Sequence, residues 1–363
     1  MSAAGRHISR LVVTTGGTGG HIFPALCVAA EVTRRDPEAK VLFLGAAGPE
    51  GALAAKAGLD FQALPASGVL GKGVKGLLSI FWVGRGVARA AKALKRFKPD
   101  AVIGFGGYAG FCPVLAAALL KIPTAVHEQN SVPGVTNRVL AKVADRVFVS
   151  FEDKKGSFPA AKVTRTGNPV RTDIAGVTRG NEAGRRNLLI LGGSQGARPI
   201  NDAVVAALPQ LLSARVNIVH QAGAADEARI REAYAHAGAD ADCVRGFIDD
   251  MAQAYAWADA ALCRAGASTI FELAATGTPS VLVPFPQAAH DHQRVNALHL
   301  ADLGAALLLP QSELSAQTLA DTLAGLLGDT ARLASMSRAA RTFARPDAAS
   351  RIADGLEELC GAA

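Results

Sequence analysis

Short apolar runs alternate along the chain with longer stretches in which alanine and leucine recur between polar residues. The short runs are rich in β-branched residues, as strands are, and the longer stretches have helical spacing. The predicted strands are Leu11–Thr14, Val41–Leu44, Ala101–Ile103, Thr124–Val126, Arg146–Val149, Leu188–Leu191, Val216–His220, Ala260–Cys263 and Ser280–Val283. Strands buried on both faces of a parallel sheet read as continuous apolar runs. The pattern therefore predicts the doubly wound α/β class, with helices covering both faces of each sheet.

Three of these strands end in glycine-rich turns, with the sequences VVTTGGTGGH, VIGFGGYAG and LLILGGSQGAR. A strand, a glycine turn and a helix start together favour anion binding, because free N–H groups and the helix dipole face the ligand. Tight packing of strand against helix is the alternative explanation of the glycines. The dinucleotide fingerprint GxGxxG and the P-loop pattern GxxxxGK[ST] are both absent here, which argues against a dinucleotide cofactor and a P-loop nucleoside triphosphatase.

The length of 363 residues favours two domains. The segment TRTGNPVRTDIAG, residues 164–176, has the composition of a turn and separates the first two glycine turns from the third. We expect an N-terminal domain over 7–165, a linker over 166–176 and a C-terminal domain over 177–345. A C-terminal helix over 346–363 is expected to pack back toward the N-terminal domain. The two domains would face each other across a deep cleft, where ligands of open α/β sheets bind.

Composition and charge narrow the function classes. The net charge of +7 allows nucleic acid, an anionic membrane or a phosphorylated substrate as partner. No apolar run is long enough to span a membrane, and MSAAGRHISRLVV lacks the apolar core of a signal peptide, so a cytoplasmic location is expected. The five cysteines are scattered, which indicates neither zinc nor disulfides. Asp240-Ala241-Asp242 is interpreted as a turn rather than a metal site.

Residues 61–99 contain eight Lys or Arg and no Asp or Glu, and they include the apolar sequence GLLSIFWVG. An apolar patch rimmed by cations is typical of peripheral binding to an anionic leaflet. A core helix with a solvated basic face is the alternative, and RNA binding is disfavoured because only one aromatic cluster is present. The predicted membrane patch consists of Leu77, Leu78, Ile80, Phe81, Trp82, Lys72, Lys75 and Arg85.

Residues 263–297 form the most informative stretch. A helix is predicted directly after the strand that ends at Cys263, with Glu272 in its first turn. Ser268 and Thr269 could cap this helix or bind a phosphate, and Glu272 could be a favourable first-turn acid or accept two ribose hydroxyls. The sequence HDHQRVNA is predicted to open a further helix at the same cleft.

An ordered set of motifs between about residue 8 and residue 350 carries a resemblance. These motifs are GGTGGHIFPAL, HEQNSVPGVTNR, TGNPVR, LGGSQGAR, GFIDDMAQAYAWADAALCRAGASTIFELAATGTPSVLVPFP and DHQRVNA. Together they resemble the MurG family, the N-acetylglucosaminyltransferases that convert lipid I to lipid II in bacterial peptidoglycan synthesis. The resemblance implies the GT-B fold, two Rossmann-like domains facing across a deep cleft, with no cofactor and no obligatory metal.

The resemblance also implies the reaction and its location. N-acetylglucosamine (GlcNAc) would pass with inversion from UDP-GlcNAc to the 4-hydroxyl of MurNAc in undecaprenyl-pyrophosphoryl-MurNAc-pentapeptide. The C-terminal domain would bind UDP-GlcNAc, and the N-terminal domain would bind the acceptor and the membrane. The enzyme would lie peripherally on the cytoplasmic face of the inner membrane. The implied partners are UDP-GlcNAc, lipid I, the anionic membrane surface and other cell-wall synthesis and division proteins, but not nucleic acid.

Single residues receive roles from the same resemblance. His21 is the proposed base, and binding or orienting the acceptor is its alternative role; His127, Glu128 and Asp291 are further candidates. The implied substrate-binding residues are Thr18, Gly19, Gly20, Asn130, Arg171, Ser194, Ile248, Ala267, Ser268, Thr269, Ile270, Phe271, Glu272 and Gln293. Ile248 would contact the uracil through its backbone, Arg171 and Ser194 the diphosphate, and Gln293 the sugar hydroxyls. Other members carry Leu-Thr-Val-Ser where this chain has Ser-Thr-Ile-Phe at 268–271.

Two other classes of function remain open at this point. The first is another GT-B enzyme, such as a glycolipid synthase or a UDP-GlcNAc epimerase. An epimerase would not use a lipid-facing basic patch, whereas a glycolipid synthase would, so the acceptor must be tested. A nucleotide- or lipid-phosphate-binding protein without catalysis would bind UDP and show no turnover.

Overall fold

The computed structural model describes residues 7–64, 76–179, 184–193 and 195–362, and over residues 76–82 it describes the backbone only. The chain divides into two compact units. Unit 1 comprises Met1–Arg171 and Arg345–Ala363, and unit 2 comprises Thr172–Ala344. Each unit is built on one parallel sheet, of seven strands in unit 1 and six in unit 2.

Unit 1 alternates strands and helices. Its strands are β1 (Arg10–Thr14), β2 (Lys40–Gly45), β3 (Asp60–Ala63), β4 (Ala101–Gly104), β5 (Thr124–Glu128), β6 (Arg146–Val149) and β7 (Val163–Arg165). Its helices are α1 (Gly19–Arg35), α2 (Pro49–Lys56), α3 (Gly76–Phe97), α4 (Gly107–Leu119), α5 (Val135–Leu140) and α14 (Ala348–Ala362). The strand order β3-β2-β1-β4-β5-β6-β7 reverses direction beside β1, which is where doubly wound sheets bind their ligands.

Both faces of the unit 1 sheet are buried, because successive residues of a strand point to opposite faces. Leu11 and Val13 pack with apolar residues of α1, α2 and α14. Val12, between them, packs with α3, α4 and α5. The continuous apolar run of β1 is therefore the signature of a strand covered by helices on both sides.

The helix α14 belongs to unit 1. Ile352 and Leu356 are fully buried in the core that α1 and β1 share. Arg35, near the end of α1, donates to the Ser350 carbonyl oxygen over 2.9 Å and lies 2.7 Å from the Asp354 carboxylate. The last helix thus returns to the sheet at which the chain begins.

Unit 2 follows the same plan. Its strands are β8 (Asn187–Leu191), β9 (Asn217–Gln221), β10 (Val244–Arg245), β11 (Ala260–Cys263), β12 (Ser280–Leu282) and β13 (Ala306–Leu308). Its helices are α6 (Thr172–Ala175), α7 (Arg198–Ser213), α8 (Glu227–His236), α9 (Met251–Trp257), α10 (Ala267–Thr276), α11 (His292–Ala301), α12 (Ala316–Gly328) and α13 (Thr330–Phe343). The strand order is β10-β9-β8-β11-β12-β13.

The nine strands predicted from the apolar runs are all present, to within two residues at each end. The four other strands, β3, β7, β10 and β13, are the edge strands of the two sheets. Within the part of the chain that the structure describes, every helix is too short or too polar to cross a membrane.

Candidate active site

The first glycine turn leaves open space at the start of a helix. It joins β1 to α1, and Thr18, which precedes the helix, makes no capping hydrogen bond with its side chain. Gly17 has φ +113°, and a Cβ added there would meet nothing within 4 Å. Because the first N–H groups of a helix have no partner within it, the start of α1 can bind an anion.

Other glycines of unit 1 are required by packing. A Cβ on Gly16 would lie 2.5 Å from the Cβ of Ala109, and one on Gly107, which has φ +71°, would collide with the Gly16 carbonyl oxygen. The first and second glycine turns therefore press against each other. The packing explanation holds for Gly16 and Gly107, whereas Gly17 leaves room for a ligand.

His21 is the third residue of α1 and belongs to a line of hydrogen bonds. Its Nδ1 lies 2.7 Å from Gln129 Oε1. The Gln129 amide nitrogen lies 3.0 Å from both Nδ1 and the carbonyl oxygen of His127. His127 Nε2 in turn lies 3.1 Å from the Gly167 carbonyl oxygen. Sequence reasoning gave Gln129 no role, because its partner His21 is 108 residues away in the chain.

The other candidate bases of unit 1 are already engaged. His127 is fully buried, and burial lowers its pKa to about 4 although the Gly167 carbonyl opposes the shift. Glu128 is also buried, and its carboxylate accepts from Asn130 N over 3.0 Å and from Asn137 Nδ2 over 2.9 Å. Glu128 therefore shapes the loop that carries Asn130, and His21 is the partly exposed candidate of unit 1.

Arg171, at the end of unit 1, stacks its guanidinium over the ring of Phe23, 5.1 Å from the ring centre. Its Nε is buried and has no hydrogen-bond partner among the described residues. A buried donor without a partner is costly, so this nitrogen is a good candidate for binding an anion.

In unit 2 the start of α10 is uncapped. The N-cap position is Gly266, so no side chain there can satisfy the first N–H groups. Two sequence-based interpretations are corrected here. Ser268 and Thr269 lie inside the first turn rather than at the cap, and Glu272 is the sixth helical residue, beyond the first turn. Neither Ser268 nor Thr269 therefore caps α10, and Glu272 is not a first-turn acid.

The side chains of α10 point in different directions. Ile270 and Phe271 are buried, and Phe271 packs against Phe343 with ring centres 5.2 Å apart, so only their backbones could contact a ligand. Glu272 is partly exposed and its Oε2 accepts a hydrogen bond of 2.9 Å from the hydroxyl of buried Tyr255. Tyr255 is a further residue that the sequence did not single out.

The structure describes three of the four remaining predicted substrate-binding residues of unit 2. Gln293 Oε1 accepts from Ala265 N over 3.2 Å and from Phe285 N over 3.0 Å, which leaves its amide N–H groups for a ligand. Ile248 is buried, so its backbone rather than its side chain is the part that could contact a ligand. Ala267 is buried at the start of α10. Ser194 lies outside the described residues.

The Asp240-Ala241-Asp242 sequence is a turn, as predicted. Asp240 Oδ1 accepts from Asp242 N over 2.8 Å and caps a 3-10 turn. Over the described ranges, no group of three or more His, Cys, Asp or Glu side chains is placed to hold a metal ion.

The predicted membrane patch is described only in part. Lys72 and Lys75 lie outside the described residues, as do the side chains of Leu77, Leu78, Ile80, Phe81 and Trp82. The rest of α3 buries Ala90 and Leu94 against the sheet. Five cationic residues of α3 are exposed, including Lys95, and four of them are spaced as one helical stripe, namely Arg85, Arg89, Lys92 and Arg96. We call these four residues the basic stripe.

Comparison with known proteins identifies the family. The glycosyltransferase family 28 N-terminal domain model matches residues 11–149, and the C-terminal domain model matches residues 187–352. A UDP-N-acetylglucosamine--N-acetylmuramyl-(pentapeptide) pyrophosphoryl-undecaprenol N-acetylglucosamine transferase of Nitratidesulfovibrio vulgaris is 55% identical over 96% of this chain and 97% of its own length. The crystal structure of Acinetobacter baumannii MurG is 34% identical with a TM-score of 0.77, covering 96% of this chain and 99% of that one. The chain belongs to the MurG family.

The fold extends beyond MurG. CalG4, the calicheamicin glycosyltransferase, is 16% identical with a TM-score of 0.70 over 98% of both chains, which shows a shared fold alone. The predicted GT-B class, with two Rossmann-like parallel sheets, is confirmed. This MurG-family chain is an enzyme, a glycosyltransferase of family 28.

Proposed function

We propose that this enzyme transfers GlcNAc from UDP-GlcNAc to the 4-hydroxyl of MurNAc in undecaprenyl-pyrophosphoryl-MurNAc-pentapeptide, converting lipid I to lipid II. One observation carries the proposal. A relative that is named for this transfer is 55% identical to the chain over 96% of its length.

Unit 2 supplies groups suited to the donor. The uncapped start of α10 offers N–H groups to the diphosphate, with the hydroxyls of Ser268 and Thr269 beside them. Glu272, held by Tyr255, can accept hydrogen bonds from two ribose hydroxyls. Gln293 donates to sugar hydroxyls through its free amide hydrogens. By the family motif, Ile248 contacts the uracil and Ser194 the diphosphate.

Departure of UDP requires stabilisation of the negative charge that grows on its phosphate. Helix N–H groups and the positively charged guanidinium of Arg171 can donate hydrogen bonds to this phosphate. Because their positions are fixed, they can stabilise the negative charge that develops in the transition state. The buried, unpartnered Nε of Arg171 supports this role.

Unit 1 supplies the base. The acceptor 4-hydroxyl oxygen attacks C1 of GlcNAc, the bond from C1 to the UDP oxygen breaks, and the configuration changes from α to β. The hydroxyl proton passes to His21, because an imidazole nitrogen that carries no hydrogen can act as a general base. By the family motif, Thr18, Gly19, Gly20 and Asn130 of unit 1 bind the donor and the acceptor.

The acceptor is a membrane lipid, so the enzyme must reach a bilayer surface. The basic stripe of α3 supports peripheral binding to an anionic leaflet, since each surface cation near such lipids contributes about 1 kcal/mol. We place the enzyme at the cytoplasmic face of the inner membrane, where other cell-wall synthesis and division proteins are its expected neighbours.

The test is transfer of radiolabelled GlcNAc from UDP-GlcNAc to a lipid I analogue by purified protein, beside His21→Ala. The wild type is expected to label the lipid, and His21→Ala to do so at least roughly a hundred-fold more slowly. Equal rates of transfer by the two proteins would support the proposed reaction but would show that His21 is not its base. Binding of UDP-GlcNAc without transfer would refute the proposed acceptor, and free epimerised sugar nucleotide as product would indicate an epimerase.

A further inference from the structure

The line of hydrogen bonds from Gly167 to His21 fixes the position of every ring hydrogen along it. A carbonyl oxygen can only accept, so His127 Nε2, 3.1 Å from the Gly167 oxygen, carries its hydrogen. His127 is fully buried, which disfavours the charged ring. Its Nδ1 therefore has no hydrogen and must accept from a donor.

Gln129 supplies that donor, and this sets the orientation of its amide. The end of the side chain near His127 faces two acceptors, the bare Nδ1 and the His127 carbonyl oxygen, each at 3.0 Å. Only the NH₂ end of an amide can satisfy both. The amide oxygen must then face His21, and it can only accept.

We propose that Gln129, oriented by His127, is a positioning residue that holds His21 in the tautomer protonated at Nδ1. His21 Nδ1, 2.7 Å from the amide oxygen, must carry the hydrogen of that bond. The neutral ring then presents an unprotonated Nε2, the nitrogen that can take a proton. The catalytic meaning of this tautomer rests on the proposed function, whereas the tautomer itself does not.

Among the described residues, the group that His21 Nδ1 contacts is the amide of Gln129 rather than a carboxylate. Gln129 is fully buried, so the geometry of its amide is protected from water. A neutral amide fixes the tautomer of His21 without adding a negative charge that would favour the protonated ring. Neutral imidazole in water prefers the hydrogen on Nε2, so the tautomer proposed for His21 is one that the protein must enforce.

The test is ring ¹⁵N–¹H correlation spectroscopy on protein labelled with ¹⁵N-histidine, with the signals of His21 identified by their loss in His21→Ala. Wild-type protein is expected to show neutral His21 protonated at Nδ1. Gln129→Met has similar volume but lacks the amide oxygen and the amide N–H groups, and it is expected to move His21 toward the Nε2-protonated form. Gln62→Met, the same substitution on β3 of unit 1, is the matched control and should leave the His21 signals unchanged.

Transfer assays give the second measurement. Gln129→Met is expected to lower kcat roughly ten- to a hundred-fold with KM for UDP-GlcNAc unchanged, a smaller loss than removal of the base. Nε2-protonated His21 in the wild type would overturn the proposal, even if the variant failed to fold. An unchanged tautomer in folded Gln129→Met would overturn it as well. The spectra need no substrate, so absence of transfer by the wild type would refute the proposed function and not the tautomer.

Discussion

Tyr255 donates a hydrogen bond from its hydroxyl to Glu272 Oε2 over 2.9 Å, and it does so from a fully buried position. We expect Glu272→Gln to raise KM for UDP-GlcNAc roughly ten- to a hundred-fold, because hydrogen bonds to a charged group contribute about 1.5–3 kcal/mol. Tyr255→Phe should raise it by less, since the carboxylate stays. Initial rates at varied donor concentration measure both changes.

The matched control is Tyr234→Phe, which removes another buried hydroxyl of unit 2 whose partner is His220. It should leave KM unchanged. A donor that lacks the ribose 2′-hydroxyl sharpens the test. Wild-type protein should discriminate against it, and Glu272→Gln should do so much less. Undiminished discrimination by Glu272→Gln would contradict the ribose contact.

The second prediction concerns acid stability. Burial lowers the pKa of His220 from an ordinary value near 6.5 to about 4, and its ring lies 2.9 Å from Tyr234 Oη and 3.0 Å from Asn201 Oδ1. The unfolded chain therefore binds a proton first as the pH falls. The stabilising contribution is complete above pH 6.5 and is lost between 6.5 and 4, by roughly 3 kcal/mol.

Urea unfolding of unit 2 can be followed through Trp257 in a Trp82→Phe background, since the chain has only two tryptophans. The free energy of unfolding should fall over that pH range. His220→Gln keeps hydrogen-bonding atoms but does not titrate, so its profile should be flatter. A His220→Gln profile as steep as that of the wild type would assign the acid sensitivity to other groups.

The third prediction concerns binding of the basic stripe to anionic membranes. Arg89→Gln with Lys92→Gln should weaken binding to vesicles that contain phosphatidylglycerol by roughly thirty-fold, at about 1 kcal/mol for each charge. Arg332→Gln with Arg338→Gln removes the same charge from exposed positions of α13 and is the control. Flotation at low and high salt measures the binding. Equal loss in the two double variants would mean that net charge, and not the stripe, attracts the membrane.

Glu50 leads to the fourth prediction. This residue of α2 is buried, and its Oε1 accepts from Gly17 N over 2.9 Å, so it holds the open part of the first glycine turn. Glu50→Ala should lower kcat/KM for a lipid I analogue about ten-fold, since the buried hydrogen bond that fixes Gly17 is lost. Glu50→Gln keeps an accepting oxygen and should retain most of the activity. Equal losses in both variants would show that the charge, rather than the acceptor, matters.

The central strands could be predicted because each is covered on both faces and is therefore apolar throughout. The edge strands could not. β3 has the sequence DFQA and β10 is only VR, and such short or mixed runs do not differ from loops until a neighbouring strand pairs with them. Which strand lies at each edge is decided only when the whole sheet assembles, so no local sequence pattern predicts it.

The same distinction applies to the candidate site. Motifs local in sequence, such as GGTGGH and GASTIFE, identified the two helix starts. The exact start of α10 could not be predicted. Because the helix begins at Ala267, Glu272 lies beyond the first turn. Gln129 and Tyr255 gain their roles from His21 and Glu272, which are 108 and 17 residues away in the chain. A local sequence pattern does not predict such pairs.

The return of α14 to unit 1 has a consequence for synthesis on the ribosome. Residues 172–344 emerge as a continuous block and can complete their own sheet at once. Unit 1 emerges first yet waits for residues 348–362, and until then the surface of α1 that Ile352 and Leu356 cover stays exposed to water. The part made earliest is thus the last to be finished, and a nascent chain stalled before its final helix would present an apolar surface to chaperones.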